Sequence, residues 1–134
     1  MDLGKFNTTA ASDEAKTLSL INPFTEETII DEKGKTLDIY VYGIKSTAAR
    51  NAHAERERRS GNRKLSFEAS MREGAKFLAA ITKGWSDNVE MDGAPLKYNH
   101  ENAIKLYLEQ DWIGKQVLDF AQDMANYDPK LKKT

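Results

Sequence analysis

The stretch TIIDEKGKTLDIYVY, residues 28–42, has the clearest strand pattern in the chain. Apolar and polar residues alternate along its second half: Leu37, Ile39 and Val41 against Asp38, Tyr40 and Tyr42. Such alternation places one set on each face of an extended strand. Gly34 can adopt the left-handed backbone that closes a tight loop, so the stretch predicts a β-hairpin. Because two or three short strands are not stable alone, helices must cover the apolar face.

Four helices are predicted downstream of this hairpin, because apolar residues recur there at helical spacing. They cover residues 47–60, 66 to about 83, 100–109, and 111 to about 127. Residues that commonly cap helix N-termini stand at three of the starts: Ser46, Asn99 and Asp111. The predicted fold is therefore α+β and mainly α, a small N-terminal β-hairpin followed by about four helices.

Two of these helices carry an apolar stripe wide enough to be buried. The stripe of the second helix consists of Phe67, Met71, Ala75, Leu78 and Ile81. The stripe of the fourth consists of Ile113, Val117, Phe120, Ala121 and Met124. Gly84 is expected to end the second helix as its C′ residue, and Trp85 behind it to pack in the core.

The length of 134 residues is that of one domain. The pattern divides the chain into a flexible segment (1–16), a domain (17–128) with its hairpin in 17–43 and its helical part in 46–127, and a basic tail (129–134). The chain has no cysteine. It also lacks a signal-peptide pattern and any apolar run near the roughly 20 residues of a membrane span. We expect a soluble intracellular protein.

The helix predicted at 47–60 carries the main charge asymmetry. Residues 45–64 hold seven Lys/Arg against Glu55 and Glu57, whereas the whole chain has a net charge of −1. The apolar stripe of this helix is thin, which is typical of a helix that lies on the surface or projects toward a partner. Three interpretations stay open: a solvated helix with local charge pairs, a nucleic-acid-binding surface, or an electrostatic dock for an acidic protein.

We favour the protein dock over nucleic acid. The two glutamates interrupt the basic run, and no aromatic residue lies within it to stack on bases. The predicted partner-binding residues are Arg50, Arg56, Arg59 and Trp112. Trp112 is included because it precedes the fourth apolar stripe by one position, where partial exposure is expected, and because tryptophan is enriched at interface centres.

No set of residues has the spacing that catalysis or metal binding requires. His53 and His100 are far apart and belong to no ligand motif, and the carboxylates fit helix caps and a solvated face. The glycines form no phosphate-binding loop. We therefore expect no catalytic residues, no cofactor and no metal, and we predict that the chain is not an enzyme.

Several short motifs follow one another in a set order within residues 18–127. They are Gly84-Trp85, Asp92-Gly93-Ala94-Pro95-Leu96, Asn99-His100-Glu101-Asn102-Ala103, Asp111-Trp112-Ile113, Gln116-Val117 and Ala125-Asn126-Tyr127. Upstream of them, the hairpin leads through Gly43-Ile44-Lys45-Ser46 into a charged helix. In this order the motifs resemble the tail assembly chaperones of long-tailed bacteriophages.

The resemblance implies that the chain binds the tape-measure protein, a long helical chain that sets tail length. It would keep that protein soluble while tail tube subunits polymerise, and it would be absent from the mature particle. The resemblance further implies a place in the cytoplasm of the infected bacterial host, no membrane partner, contact with the tail tube protein, and a longer frameshifted form of this chain. Lys132-Lys133 would suit a slippery codon run. Self-association stays open, and the alternative is a small nucleic-acid-binding protein that uses residues 45–64.

Overall fold

A computed structural model describes residues 1–131. The α-helices are α1 (Thr8–Ser12), α2 (Thr47–Ser60), α3 (Phe67–Ala80), α4 (His100–Glu109) and α5 (Asp111–Gln122). The strands are β1 (Lys16–Ser19), β2 (Asp38–Val41), β3 (Thr82–Trp85), β4 (Glu90–Met91) and β5 (Ala94–Pro95), and two 3₁₀ helices cover Leu3–Phe6 and Met124–Tyr127. The mixed helix-and-strand class is confirmed. The prediction of about four helices was wrong, because the described residues form five.

The predicted hairpin is present, but its strands pair differently from the expectation. β2 pairs antiparallel with β1, in the register Leu18↔Ile39. Residues 28–30 contribute only isolated bridges, such as Ile30↔Thr36. The Asn22 side chain accepts hydrogen bonds from the next turn and so bends the chain before those residues. Gly34 has the expected left-handed backbone, with a φ of 79°.

The expected end of the second helix was wrong. α3 stops at Ala80, and the residues after it form β3, which pairs antiparallel with β2 and completes a sheet of order β1-β2-β3. The Tyr42 N–H donates to Ile81 O at 2.8 Å, so pairing with β2 begins where the helix ends. Gly84 is therefore a strand residue opposite Tyr40 rather than a helix cap. Long-range pairing with a free strand edge overrides the local helical pattern here.

The core lies between the inner face of the sheet and α3, α4 and α5. Its buried apolar members include Leu20, Ile39, Val41, Ala75, Ala79, Ile81, Trp85, Ala103, Leu106, Tyr107, Ile113, Val117 and Ala121. Burial of Trp85 is thus confirmed. Two members of the predicted α3 stripe were wrong, because Phe67 is 79% exposed and Met71 38%. In these first turns of α3 the only buried side chain is that of Glu73, so the stripe has nothing to pack on.

The first sixteen residues were predicted to be flexible, and that property stays a prediction. The structure gives them the Leu3–Phe6 3₁₀ helix and α1, whose N-cap Asn7 accepts from Ala10 N at 2.9 Å. Ser12 is fully buried against Gly43, where an added Cβ would meet Ser12 Oγ at 2.6 Å. Asp13 then accepts a hydrogen bond from Thr47 N at 2.6 Å. The segment is therefore attached to the start of α2.

One α5 side chain also binds the hairpin backbone just beyond β1. The Gln116 amide donates to Ile21 O at 2.7 Å, and its oxygen accepts from Ile21 N at 2.9 Å. Of the predicted basic tail, residues 129–131 are described, and Lys16 Nζ donates to Leu131 O at 3.1 Å. Lys132 and Lys133 lie outside the described residues. No helix within residues 1–131 has both the length and the apolar content to cross a bilayer.

Candidate partner-binding surfaces

One ion pair joins α2 to α3, beside a ring contact between His53 and Phe77. The Arg59 guanidinium donates to both carboxylate oxygens of Glu73, with Nε–Oε1 at 3.0 Å and Nη2–Oε2 at 2.8 Å. The Glu73 side chain is only 10% exposed, and these hydrogen bonds from Arg59 hold the pKa of Glu73 below its ordinary value. Partner binding by Arg59 stays a prediction, but its guanidinium already has a structural task.

Three further arginines of this region also have partners within the chain. Arg50 Nη2 donates to Thr9 Oγ1 at 2.8 Å, and Arg58 forms an ion pair with Glu55 one turn earlier. Arg63 Nη2 donates to the Arg59 carbonyl at 2.7 Å, which satisfies one of the last carbonyls of α2. Much of the basic charge that the sequence concentrates in residues 45–64 therefore stabilises the helix that carries it.

A groove of about 290 Å³ runs between α2 and α4 above α3, and we name it the α2–α4 groove. Its apolar floor consists of Ala52, Phe77, Ala80 and Ile104. Its rim consists of Arg56, Arg59, Lys76 and His100, with Glu55 and Glu73. All four floor residues are half-buried, so they remain accessible to a partner.

The rim of this groove is cationic once the internal pairs are taken into account. Glu73 is bound by Arg59, and Glu55 by Arg58 and Arg59. Arg56 and Lys76 form no ion pair within residues 1–131, although both lower the pKa of Glu73 through their charge. An apolar floor below two such cations suits the apolar stripe and flanking carboxylates of an amphipathic helix.

A second open site surrounds Trp112, and we name it the hairpin cleft. It has a volume of about 340 Å³. Its lining consists of Leu20, Ile29, Leu37, Ile39, Trp85, Val89, Glu90, Met91, Asp92, Leu106, Gln110, Trp112 and Ile113. Trp112 is half-buried, as predicted, and its Nε1 donates to Gln110 Oε1 at 3.0 Å. Ile29, Leu37 and Met91 are half-buried as well, so the cleft offers apolar surface to a partner.

The structure does not bring the four predicted partner-binding residues together. Arg56 and Arg59 share the α2–α4 groove, Arg50 contacts α1, and Trp112 lies in the separate hairpin cleft. Sequence reasoning missed both openings, because each is formed by elements far apart in the chain. The run of alanines in 48–54 is the one local signal of the groove, since small residues let neighbouring helices approach.

The titratable residues show no convergence. Among residues 1–131, no three His, Asp or Glu side chains lie close enough to hold a metal ion. The His53 ring lies 4.7 Å from that of Phe77, and His100 lies on the groove rim. Burial raises the pKa of the Tyr107 phenol, whose oxygen is 2.6 Å from Thr82 Oγ1 in the core. That phenol has a packing role.

No family model, curated protein or solved structure matches the chain. The two surfaces are therefore interpreted from their own shape and charge.

Proposed function

We propose that this chain is a tail assembly chaperone of a long-tailed bacteriophage. It binds a helical segment of the tape-measure protein in the α2–α4 groove and keeps that protein soluble during tail tube assembly. The observation that carries the proposal is the combination in one groove of a half-buried apolar floor and two cations, Arg56 and Lys76, that form no ion pair in the part of the chain that the structure describes. The order of sequence motifs supplies the choice of partner.

The groove supports this activity through two effects. A long amphipathic helix without its final assembly exposes an apolar stripe and tends to aggregate, and an apolar groove can cover part of that stripe. Phe77 and Ile104 are the two large apolar side chains of the floor, beside Ala52 and Ala80. Carboxylates beside the stripe would meet Arg56 and Lys76, which sets the register and speeds encounter rather than supplying most of the affinity.

The remaining parts of the proposal follow from the same resemblance. The chaperone would act in the cytoplasm of the infected bacterial host and leave before the particle matures. It would contact the tail tube protein and a longer, frameshifted form of itself, and it would need no cofactor and no membrane.

Co-expression with the tape-measure protein tests the proposal. The native chain is expected to move that protein into the soluble fraction, and the double variant Arg56→Glu/Lys76→Glu to lose most of this effect. Lys45→Glu is the matched control, because Lys45 is exposed and lies outside the groove. Circular dichroism should show equal helix content in all three proteins. An insoluble tape-measure protein beside the native chain, or full solubilisation by the double variant, would contradict the proposal.

A nucleic-acid-binding protein is the second candidate. One observation favours it: the exposed ring of Phe67 follows Arg63 and Lys64 closely in sequence, so a base-stacking group accompanies the cations. The engagement of Arg50, Arg58 and Arg59 within the chain weighs against it. Submicromolar, salt-sensitive binding of DNA or RNA, without any effect on the tape-measure protein, would put this candidate first.

A further inference from the structure

The first turns of α3, just after the turn that follows α2, expose apolar side chains in a basic setting. Phe67 and Met71 lie one helical turn apart and are 79% and 38% exposed. Residues 61–72 contain three Lys/Arg (Arg63, Lys64 and Arg72) and the single acid Glu68. We name residues 61–72 the arm tip. Large apolar side chains that are grouped and solvated in this way commonly mark a protein–protein contact.

The hairpin cleft has the opposite charge. Residues 86–96, of which 89–92 line the cleft, hold Asp87, Glu90 and Asp92 and no Lys or Arg. Glu109 and Asp111 flank the lining residue Gln110 on another side. All five acids are exposed, and none forms an ion pair within residues 1–131.

We infer that the hairpin cleft receives the arm tip of a second copy of this chain. The Phe67 ring would enter the apolar cleft beside Trp112, while Arg63 and Lys64 would meet Glu90 and Asp92. The cleft volume of about 340 Å³ lies at the lower end of the range for ligand pockets, roughly 300–1,000 Å³, which suits one large side chain.

Three observations identify a second copy as the occupant. The arm tip matches the cleft in both of its properties, apolar at the centre and opposite in charge around it. No residue of α2 or α3 lines the cleft of its own molecule, so the contact has to form between molecules. The net charge of −1 leaves little overall repulsion between copies. The inference does not depend on the α2–α4 groove, which uses other residues.

The first test measures molar mass by light scattering and sedimentation over a concentration series. We expect the mass of the native chain to rise above the 15.1 kDa of one copy as concentration increases, and less so at high salt. Phe67→Ser should weaken self-association by about tenfold or more, as expected for an aromatic residue at the centre of an interface. Phe24→Ser is the matched control, because Phe24 is 93% exposed outside the cleft, and this variant should keep the native mass.

The second test reverses the charges on each side. Arg63→Glu/Lys64→Glu and Glu90→Lys/Asp92→Lys should each stay at the mass of one copy, since each variant then carries like charges on tip and cleft. An equimolar mixture of the two should associate, because every tip then finds a complementary cleft. All four residues are exposed, so the fold should survive, which circular dichroism checks.

A native chain that stays at the mass of one copy up to its solubility limit would overturn the inference. So would self-association that Phe67→Ser and both charge reversals leave unchanged. Neither result would bear on the tape-measure experiment, whose variants lie in the α2–α4 groove.

Discussion

The contact of α2 with α3, which we call the helix pair, and the body formed by the sheet, α4, α5 and the face of α3 that packs on them are stabilised by different forces. The body buries several large side chains, among them Ile39, Val117 and Tyr107. The buried residues of the helix pair are Ala49, Ala75, Ala79 and the charged Glu73. The body therefore depends on removing apolar surface from water, and the pair on small residues and an ion pair. Phe67, a large apolar side chain in the first turn of α3, remains exposed and can take part in recognition.

Truncation in the body should have the largest effect on stability. Ile81 is fully buried between sheet and helices, and Ile81→Ala is expected to lower the free energy of unfolding by about 2–5 kcal/mol. Urea denaturation, monitored by circular dichroism, measures this change in the free energy of unfolding. Ile30→Ala is the control, because Ile30 is 61% exposed and its truncation should change stability by less than about 0.5 kcal/mol. Equal effects at the two positions would show that the body is not the main source of stability.

Breaking the Arg59–Glu73 ion pair should lower the free energy of unfolding by less than truncation of Ile81 does. Glu73→Gln removes a charge-assisted pair of hydrogen bonds, and since Arg59 is 41% exposed, we expect a loss of about 1–2 kcal/mol. Glu57→Gln, on the exposed face of α2, is the matched control and should stay near the native value. If Glu73→Gln lowered the free energy of unfolding as much as Ile81→Ala, the helix pair and the body would not differ in the way described.

Low pH should weaken the Arg59–Glu73 ion pair. Arg59 lowers the pKa of Glu73 in the folded chain, so the folded state binds this proton less readily than the unfolded state. The resulting stabilisation is present above the ordinary pKa of about 4.5 and is lost as pH falls through the lowered value. The stability difference between the native chain and Glu73→Gln should therefore shrink below about pH 4.5. A difference that stays constant down to pH 3 would exclude this origin.

The smallest effect is expected at Arg56. Arg56→Glu changes an exposed residue that forms no ion pair with any described residue, so stability should shift by less than about 0.5 kcal/mol while partner binding falls. Thermal unfolding measures the effect on stability, and the co-expression assay measures the effect on partner binding. A variant that unfolds would show that Arg56 supports the helix pair instead of a partner.

The elements that could be predicted from the sequence are those specified by local chemistry. Ser46 and Asn99 cap α2 and α4 as expected, each accepting from the backbone N–H three residues on. The predicted cap Asp111 was wrong, because Asp111 is the first residue of α5 and Gln110 stands at the N-cap without a side-chain hydrogen bond. The apolar side of the hairpin, with Ile39 and Val41, is buried as its alternation indicated. β3 was missed because its strand character comes from pairing with β2, which helical spacing in α3 cannot reveal.

Prediction of the surfaces was limited for a related reason. The positive charge of α2 was visible, but sequence does not tell which arginines are engaged, and Arg59 turned out to bind Glu73 fourteen positions away. The floor of the groove joins Ala52 to Ile104 across α3. Such a juxtaposition depends on helix packing rather than on any local pattern.

The Gln116–Ile21 contact has a consequence for storage of the protein at high concentration. β1 is an outer strand of the sheet, and outer strands recruit foreign strands through their free backbone groups. Just beyond β1, the Gln116 amide already occupies both the N–H and the carbonyl of Ile21, as a neighbouring strand would. A single glutamine thus removes the backbone groups of Ile21 from the positions at which a foreign strand could extend its pairing past β1, which favours a dispersed protein.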